Sequence, residues 1–297
     1  MKKTVYTLVA GMFLSLLSVR SFAGYPERII SLAPSLTKIL YWLDEEDRLV
    51  GCTSYCTLEN PDDAQIVGSA VQVNLERAVL LCPDLVIASS LISPETLRSF
   101  EKLGIEVLQL NYPRSFDDLC HQVLVLGRKL GREELAEKRV AETRERLERI
   151  RALVPDADRK PRIFLQIGAN PLFTAVPNTF LQDFIDFAGC ENIAADLKTG
   201  SITRETVLVR DPDVILVLLM GTVSSREKGK WETYKNLKAV KNHRVYVMDD
   251  EKTCSPTPSL FVDALEEITG LIYGKQLSGN GSAGAGNNLE NAGRQPE

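Results

Sequence analysis

The residues able to do chemistry are few, and most lack the neighbours that chemistry needs. The chain has two histidines. His121 falls within a helical pattern and His243 within the basic turn Lys241-Asn-His-Arg244, so both read as surface side chains. A glycine-rich phosphate loop, a nucleophile elbow and a His-x-x-x-His pair are all missing from the sequence. Of the six cysteines, only Cys52 and Cys56 are close together, and no zinc-finger partners stand at a useful spacing. Cys82, Cys120, Cys190 and Cys254 complete the set, which reads as small core residues with at most one bridge. Two carboxylates stand out by placement instead. Glu76 lies seven residues before Pro83, and Glu205 seven before Pro212; an aspartate and an apolar run follow each proline. The inventory favours binding over catalysis.

The element around each glutamate explains the match. Asn74-Leu-Glu-Arg-Ala-Val-Leu-Leu-Cys-Pro-Asp-Leu-Val-Ile-Ala-Ser89 reads as a short helix, a Pro-Asp break and a buried strand. Thr203-Arg-Glu-Thr-Val-Leu-Val-Arg-Asp-Pro-Asp-Val-Ile-Leu-Val217 repeats that grammar. One unit built twice, far apart, predicts two lobes of one architecture. Around the first copy, strands at Arg28–Pro34, Arg48–Thr53 and Ile105–Leu110 alternate with helices at Ser35–Leu43 and Pro94–Lys102, and Ser35 is a candidate N-cap. Around the second, a strand at Arg162–Ile167 leads into the loop Gly168–Thr174 and a helix at Thr179–Ala188. Helices follow at Lys228–Asn236 and Ser259–Tyr273, with a strand at Arg244–Met248 between them. The fold class is α/β: two Rossmann-like lobes with central, mainly parallel sheets.

Between the copies, Leu119, Val123, Leu126 and Leu130 keep helical spacing, then Glu133 to Leu153 is charged with a sparse apolar face. This predicts one long helix, or two nearly collinear ones, as a rigid strut over 115–154. The expected boundaries are a signal peptide at 1–23, an N-terminal lobe at 24–114, that strut, a C-terminal lobe at 155–275 and a disordered tail at 276–297. Lys2 and Lys3, an apolar run from Val5 to Val19 and small residues at Ser21 and Ala23 predict cleavage before Gly24 and a periplasmic product. The whole chain carries a net charge of −5, and the leader holds three of its bases and no acid, so the remainder is more acidic still. That disfavours nucleic acid and anionic membrane as partners. A monomer is expected.

In open α/β sheets ligands bind beyond the carboxyl ends of the strands. The candidates there are Ser35, Tyr55, Cys56, Ser69 and Ser90, with Tyr112 and the Ser89–Leu91 loop, from the first lobe. The second offers Asn170, Phe173, Thr174, the Met220–Gly221 loop and Thr253–Ser255, including Cys254. Aromatics mixed with hydroxyls and amides suit a large, partly apolar ligand.

Arg28-Ile-Ile-Ser-Leu-Ala-Pro-Ser-Leu-Thr-Lys-Ile-Leu40, Val50-Gly-Cys-Thr-Ser-Tyr55, Val67-Gly68, Asn74-Leu-Glu-Arg77 and Pro83-Asp-Leu-Val-Ile87 recur in this order in a known family. The chain resembles the substrate-binding proteins of cobalamin, haem and iron-chelate ABC importers, over about Arg28 to Lys275. Arg162-Ile-Phe-Leu-Gln-Ile-Gly-Ala-Asn-Pro-Leu-Phe-Thr174 and Gly189-Cys-Glu-Asn-Ile193 narrow the likeness to cobalamin-binding members. The resemblance implies a bilobed receptor with little hinge motion that carries a corrinoid or related metal chelate to an inner-membrane permease and needs no cofactor. It implies that Glu76 and Glu205 dock onto permease arginines, that Tyr55 contacts ligand and that Phe173 borders the cleft. Where cobalamin-binding members carry tryptophans, this chain reads Gly68-Ser-Ala-Val-Gln-Val73 and Ser89-Ser-Leu-Ile92, which implies a smaller, less aromatic cleft open to haem or a siderophore as well. A thiolate of Cys56 or Cys254 ligating a metal, and a free-ion binding protein of the same architecture, are the alternatives.

Overall fold

The computed structural model describes residues 24–69, 72–156, 158–218 and 222–274. The expected leader, the tail and the Met220–Gly221 loop lie outside the described residues.

Five short strands build the first sheet: β1 (Ile29–Ser31), β2 (Leu49–Thr53), β3 (Gln65–Gly68), β4 (Leu85–Ser89) and β5 (Glu106–Leu110). All pairings are parallel, in the order β3-β2-β1-β4-β5. β4 lies inside the sheet between β1 and β5, and its Leu85 to Ala88 run is buried on both faces, as a strand covered by helices on each side must be. The covering helices are α1 (Pro34–Trp42), α2 (Leu75–Leu80) and α3 (Pro94–Lys102). Ser35 does not cap α1. Pro34 occupies the first helical position, where its missing N–H costs nothing, which makes Ala33 the cap and puts Ser35 inside the first turn.

The second sheet runs β10-β9-β6-β7, from β6 (Arg162–Ala169), β7 (Leu172–Thr174), β9 (Val214–Val217) and β10 (Val245–Val247), with β8 (Glu191–Asn192) paired to the start of β6. The Gly168–Thr174 segment is not a loop: β6 continues to Ala169 and turns at Asn170-Pro171 into antiparallel β7. The helices of this lobe are α6 (Phe180–Phe187), α7 (Arg204–Arg210), α8 (Thr222–Glu232), α9 (Lys238–Lys241), α10 (Asp250–Thr253) and α11 (Pro258–Tyr273), numbered after the two strut helices below. α8 starts and ends earlier than the Lys228–Asn236 pattern predicts.

The repeated unit is the same device twice. Asn74 and Thr203 cap α2 and α7 by accepting from Arg77 N at 2.9 Å and Thr206 N at 3.2 Å. Each helix leads to a left-handed residue, Cys82 (φ 48°) or Asp211 (φ 43°), ahead of its proline. The following aspartate then anchors the start of the lobe's central strand. Asp84 accepts from the amides of Glu27 and Arg28, and Asp213 from that of Arg162. The same arginines reach back to the helix ends, Arg28 to Leu81 O at 2.7 Å and Arg162 to Arg210 O at 2.6 Å.

One long helix joins the lobes, as the sequence predicts, but it does not fill 115–154, and that segment is neither one helix nor two collinear ones. α4 (Phe116–Leu130) and α5 (Glu133–Leu153) form an antiparallel hairpin, so that Arg144 in α5 pairs with Asp117 in the first turn of α4 at 2.7 Å. Gly131 makes the reversal possible with φ 75°. Gly127 lets the helices close, since a Cβ there would lie 2.4 Å from that of Ala136. The strut is therefore α5 alone, about 30 Å long. Its first half is tied to the N-terminal lobe by Arg132–Glu45 and by Arg139–Asp44 at 3.0 Å. Its second half is tied to α11 by Arg146, paired with both Asp263 and Glu266. One continuous apolar cluster runs from Ile29 and Leu85 through Leu126 and Val140 to Ile163 and Phe261. Phe184 and Phe261 stack in it at 4.1 Å. The lobes share a core, and large hinge motion would break it.

Candidate functional site

The carboxyl ends of the two sheets meet across a seam. On α1, after β1, Lys38 pairs with Glu251 of α10, after β10, at 2.6 Å and donates to the Glu251 carbonyl at 2.8 Å. Thr57, after β2, donates to the same carboxylate at 2.8 Å. The Lys38 ammonium, and after it the Thr57 hydroxyl, holds the Glu251 carboxyl below the usual carboxylate range against the effect of burial. Across the seam, Tyr112, after β5, tilts against Phe180 of α6 at 6.2 Å. Two hollows lie along this junction. One of 720 Å³ is lined by Ser90, Tyr112, His121, Gln122, Asn178 and Thr179 among others. The other, of 420 Å³, has Lys38, Trp42, Leu58 and Leu260 in its wall.

The sequence candidates divide between accessible and committed side chains. Tyr55 is 56% exposed on the turn after β2, and Phe173 is 37% exposed on β7. Phe173 packs over Gly168 and Gly200, where any Cβ would crowd its ring. Asn170 is exposed at the tip of the β6–β7 turn. Ser35 is half-buried in the first turn of α1. Ser90 is exposed, but its hydroxyl accepts from Tyr112 N at 3.1 Å and so orders the loop that carries the tyrosine. Ser69 holds its own turn, with its hydroxyl accepting from Gln72 N at 3.2 Å. Thr174 does not reach the cleft: it is 1% exposed and donates to Leu165 O at 2.8 Å, because β7 turns it inward beneath Phe173.

The cysteines are all free thiols. Cys56 is half-buried behind Tyr55, its sulfur 3.2 Å from the Thr37 hydroxyl and 3.3 Å from that of Thr53. A hydrogen bond from Cys52, more than those two hydroxyls, pulls the Cys56 thiol down to about 6 against the effect of its burial. The same contact, then burial, pushes Cys52 strongly up, so the pair gives up one proton early and keeps the other. Cys254 is half-buried near Tyr112, and desolvation pushes its thiol up. Among the described residues no three His, Cys, Asp or Glu side chains converge to hold a metal ion.

Glu76 and Glu205 are exposed in the first turns of α2 and α7. Each helix starts where the chain leaves the carboxyl side of its sheet, which sets the two carboxylates on the two lobes beside the seam. Glu205's carboxyl is held down by its own backbone amide and then by the Thr203 hydroxyl. Among the described residues, neither glutamate has an ion-pair partner. Sequence reasoning missed the Lys38–Glu251–Thr57 link and the His121–Gln122 wall. A lysine on the otherwise uncharged α1 was a signal for the first. The second needed the hairpin.

The chain is similar to several known binding proteins. It is 34% identical over 199 residues to a cobalamin-binding protein of Halobacterium salinarum; the match covers 64% of this chain and 53% of that protein, so the chain spans about half the length of this relative. The periplasmic vitamin B12-binding protein BtuF of Vibrio cholerae superposes with a TM-score of 0.71 at 26% identity, covering 86% of this chain and 99% of the other. The periplasmic haem-binding protein RhuT of Roseiflexus sp. gives 0.73 at 25% identity, over 84% and 99%. Its two lobes are those of these binding proteins. A model of the periplasmic binding protein family matches residues 29–252, and the chain belongs to that family, whose members are binding components of transporters and not enzymes.

Proposed function

We propose that this protein captures a corrinoid or a related metal chelate between its lobes and delivers it to an ABC permease. The observation that carries this reading is the make-up of the seam. Tyr55, Tyr112 and Phe173 present partly exposed rings next to the hydroxyls and amides of Ser35, Ser90 and Asn170. Such a mixture suits a broad, partly apolar ligand with polar substituents. The names of similar proteins, one binding cobalamin and one vitamin B12, support the corrinoid. The protein works as a periplasmic monomer once residues 1–23 are removed, with lobes at 24–114 and 155–275. Glu76 and Glu205 are its permease contacts, one per lobe.

Calorimetry of the purified protein with cobalamin, cobinamide and haem tests the ligand. Binding of cobalamin or cobinamide tighter than about 10 μM, roughly 7 kcal/mol, is expected; weaker binding of all three removes the reading. A haem ligand is the second reading. It is favoured by the likeness to a haem-binding protein and by the low-pKa Cys56 sulfur, an anionic donor beside the seam. A haem spectrum that changes on Cys56→Ala would select it. Replacing both glutamates by alanine should leave ligand affinity unchanged and weaken uptake.

A further inference from the structure

The docking helices carry a second matched feature that the fold itself does not use. Among the described residues, the two most exposed large apolar side chains are Val209, at 86%, and Leu80, at 82%. Both stand four residues after a proposed docking glutamate: Glu76 and Leu80 on α2, Glu205 and Val209 on α7. Residues at this spacing share one helix face with Cβ atoms about 6 Å apart. The faces correspond in depth as well, because Ala78 and Val207, two residues after the glutamates, are both fully buried. A single exposed leucine needs no explanation. Two at equivalent positions of a repeated unit, each beside a carboxylate lacking an ion-pair partner, make a pattern.

We infer that Leu80 and Val209 are apolar anchors of the permease interface. The inference rests on the proposed docking of Glu76 and Glu205 and extends it. Each lobe offers one unit of surface, a carboxylate with an aliphatic side chain one turn further along the helix. The partner must therefore present the complement twice, a cation beside an apolar pocket, on two similar subunits. The carboxylates supply long-range attraction that salt screens; the aliphatic groups supply burial that salt barely touches. An interface of this kind gains most of its affinity from the few side chains that become fully desolvated. The glutamates alone, exposed and solvated, would make a weak contact.

The test uses the full receptor, fluorescently labelled, and right-side-out membrane vesicles from its native host lacking the receptor gene. Specific binding is measured at about 50 and about 300 mM salt, on either side of effective screening. The pair Leu80→Ser with Val209→Ser should raise the Kd about tenfold or more, by a factor that does not depend on salt. The pair Glu76→Gln with Glu205→Gln should weaken binding mainly at low salt. The swap Leu80→Val with Val209→Leu should bind within about twofold of wild type, which separates apolar contact from general disturbance of the helices. Unchanged Tm values verify folding, as expected for side chains this exposed. If the serine pair binds like wild type while the glutamine pair is weakened, the anchors are wrong and the docking carboxylates stand. If neither pair weakens binding, the docking assignment falls with the anchors. Concentration-dependent dimerisation abolished by the serine pair would assign the face to a second copy of this chain and overturn the inference.

Discussion

The Cys52–Cys56 contact makes a numerical prediction about a side chain at the candidate site. A thiol pulled down to about 6 from the ordinary 9.0 would be about nine-tenths thiolate at pH 7, against about one-hundredth for an unperturbed thiol. A thiolate of lower pKa is also a poorer nucleophile, by roughly twentyfold over this range. The two effects leave an intrinsic advantage of only about fourfold at pH 7, but of about 40-fold at pH 5, where ordinary thiols are almost wholly protonated. The assay is iodoacetamide labelling from pH 4 to 10, with modification of each cysteine followed by peptide mass spectrometry. Partial burial slows the reagent at Cys56 by the same factor at every pH, so the midpoint is the decisive quantity and exposed Cys82 is the internal control for reagent quality. Cys56 should titrate near 6, and Cys52→Ala should move that midpoint upward by removing the largest cause. Saturating ligand should protect Cys56 if the thiol faces the occupied cleft. A midpoint near 9 in wild type, or one unmoved by Cys52→Ala, would refute the shared-proton arrangement.

Three further outcomes test other parts of the molecule. Phe261→Ala removes a fully buried ring stacked on Phe184 and flanked by Phe116 and Phe187, and should cost about 3–5 kcal/mol in urea unfolding. Both lobes should still unfold in one transition, because they share that cluster; separate transitions would contradict the continuous core. The Glu251 carboxyl is held below its unfolded value, so its stabilisation is present above the ordinary carboxylate range and is lost as pH falls through the folded value. Tm should then drop below about pH 4, and Lys38→Met should flatten that limb. If the proposed site is right, Tyr55→Ala and Phe173→Ala should each weaken chelate binding about tenfold in calorimetry, and the more exposed Tyr55 should be lost without lowering Tm.

The repeated helix, break and strand were legible because their causes are local: a cap, a left-handed residue, a proline and a doubly buried run all sit within sixteen positions. The parallel sheets followed from the alternation of such units. One long joining helix was legible too, but not its extent, for an equally physical reason. Gly131 marks a helix end in either arrangement, and periodicity cannot distinguish a chain that continues from one that reverses. The pairing of Asp117 with Arg144, 27 residues apart, settles it in space. Thr174 was misread because one residue of register turns a strand side chain from cleft to core. Lys38 and Glu251 lie 213 residues apart, and nothing near either one in sequence announces the other.

The continuous core also bears on how ligand leaves. A receptor whose lobes closed and opened as rigid bodies would need separate cores and a flexible link. Here Arg132 and Arg139 fasten one half of α5 to the first lobe and Arg146 fastens the other half to the second. Leu126, Val140, Leu147 and Ile150 belong to the cluster that both lobes share. Opening the lobes would expose that apolar surface at a cost far above what the proposed binding of a ligand at a few strand-end loops would return. The parts able to move cheaply are the turns that carry Tyr55, Ser90, Tyr112 and Phe173, together with the half-covered Lys38–Glu251 link. A rigid frame likewise fixes the distance between Glu76 and Glu205, so a permease that grips both at once is held to one spacing. Pulling on those two helices acts through Asp84 and Asp213 on the first residues of β1 and β6, the central strands of both sheets. Under the proposed function, release would then be a matter of loosening loops around a fixed frame, with docking strain transmitted along β1 and β6.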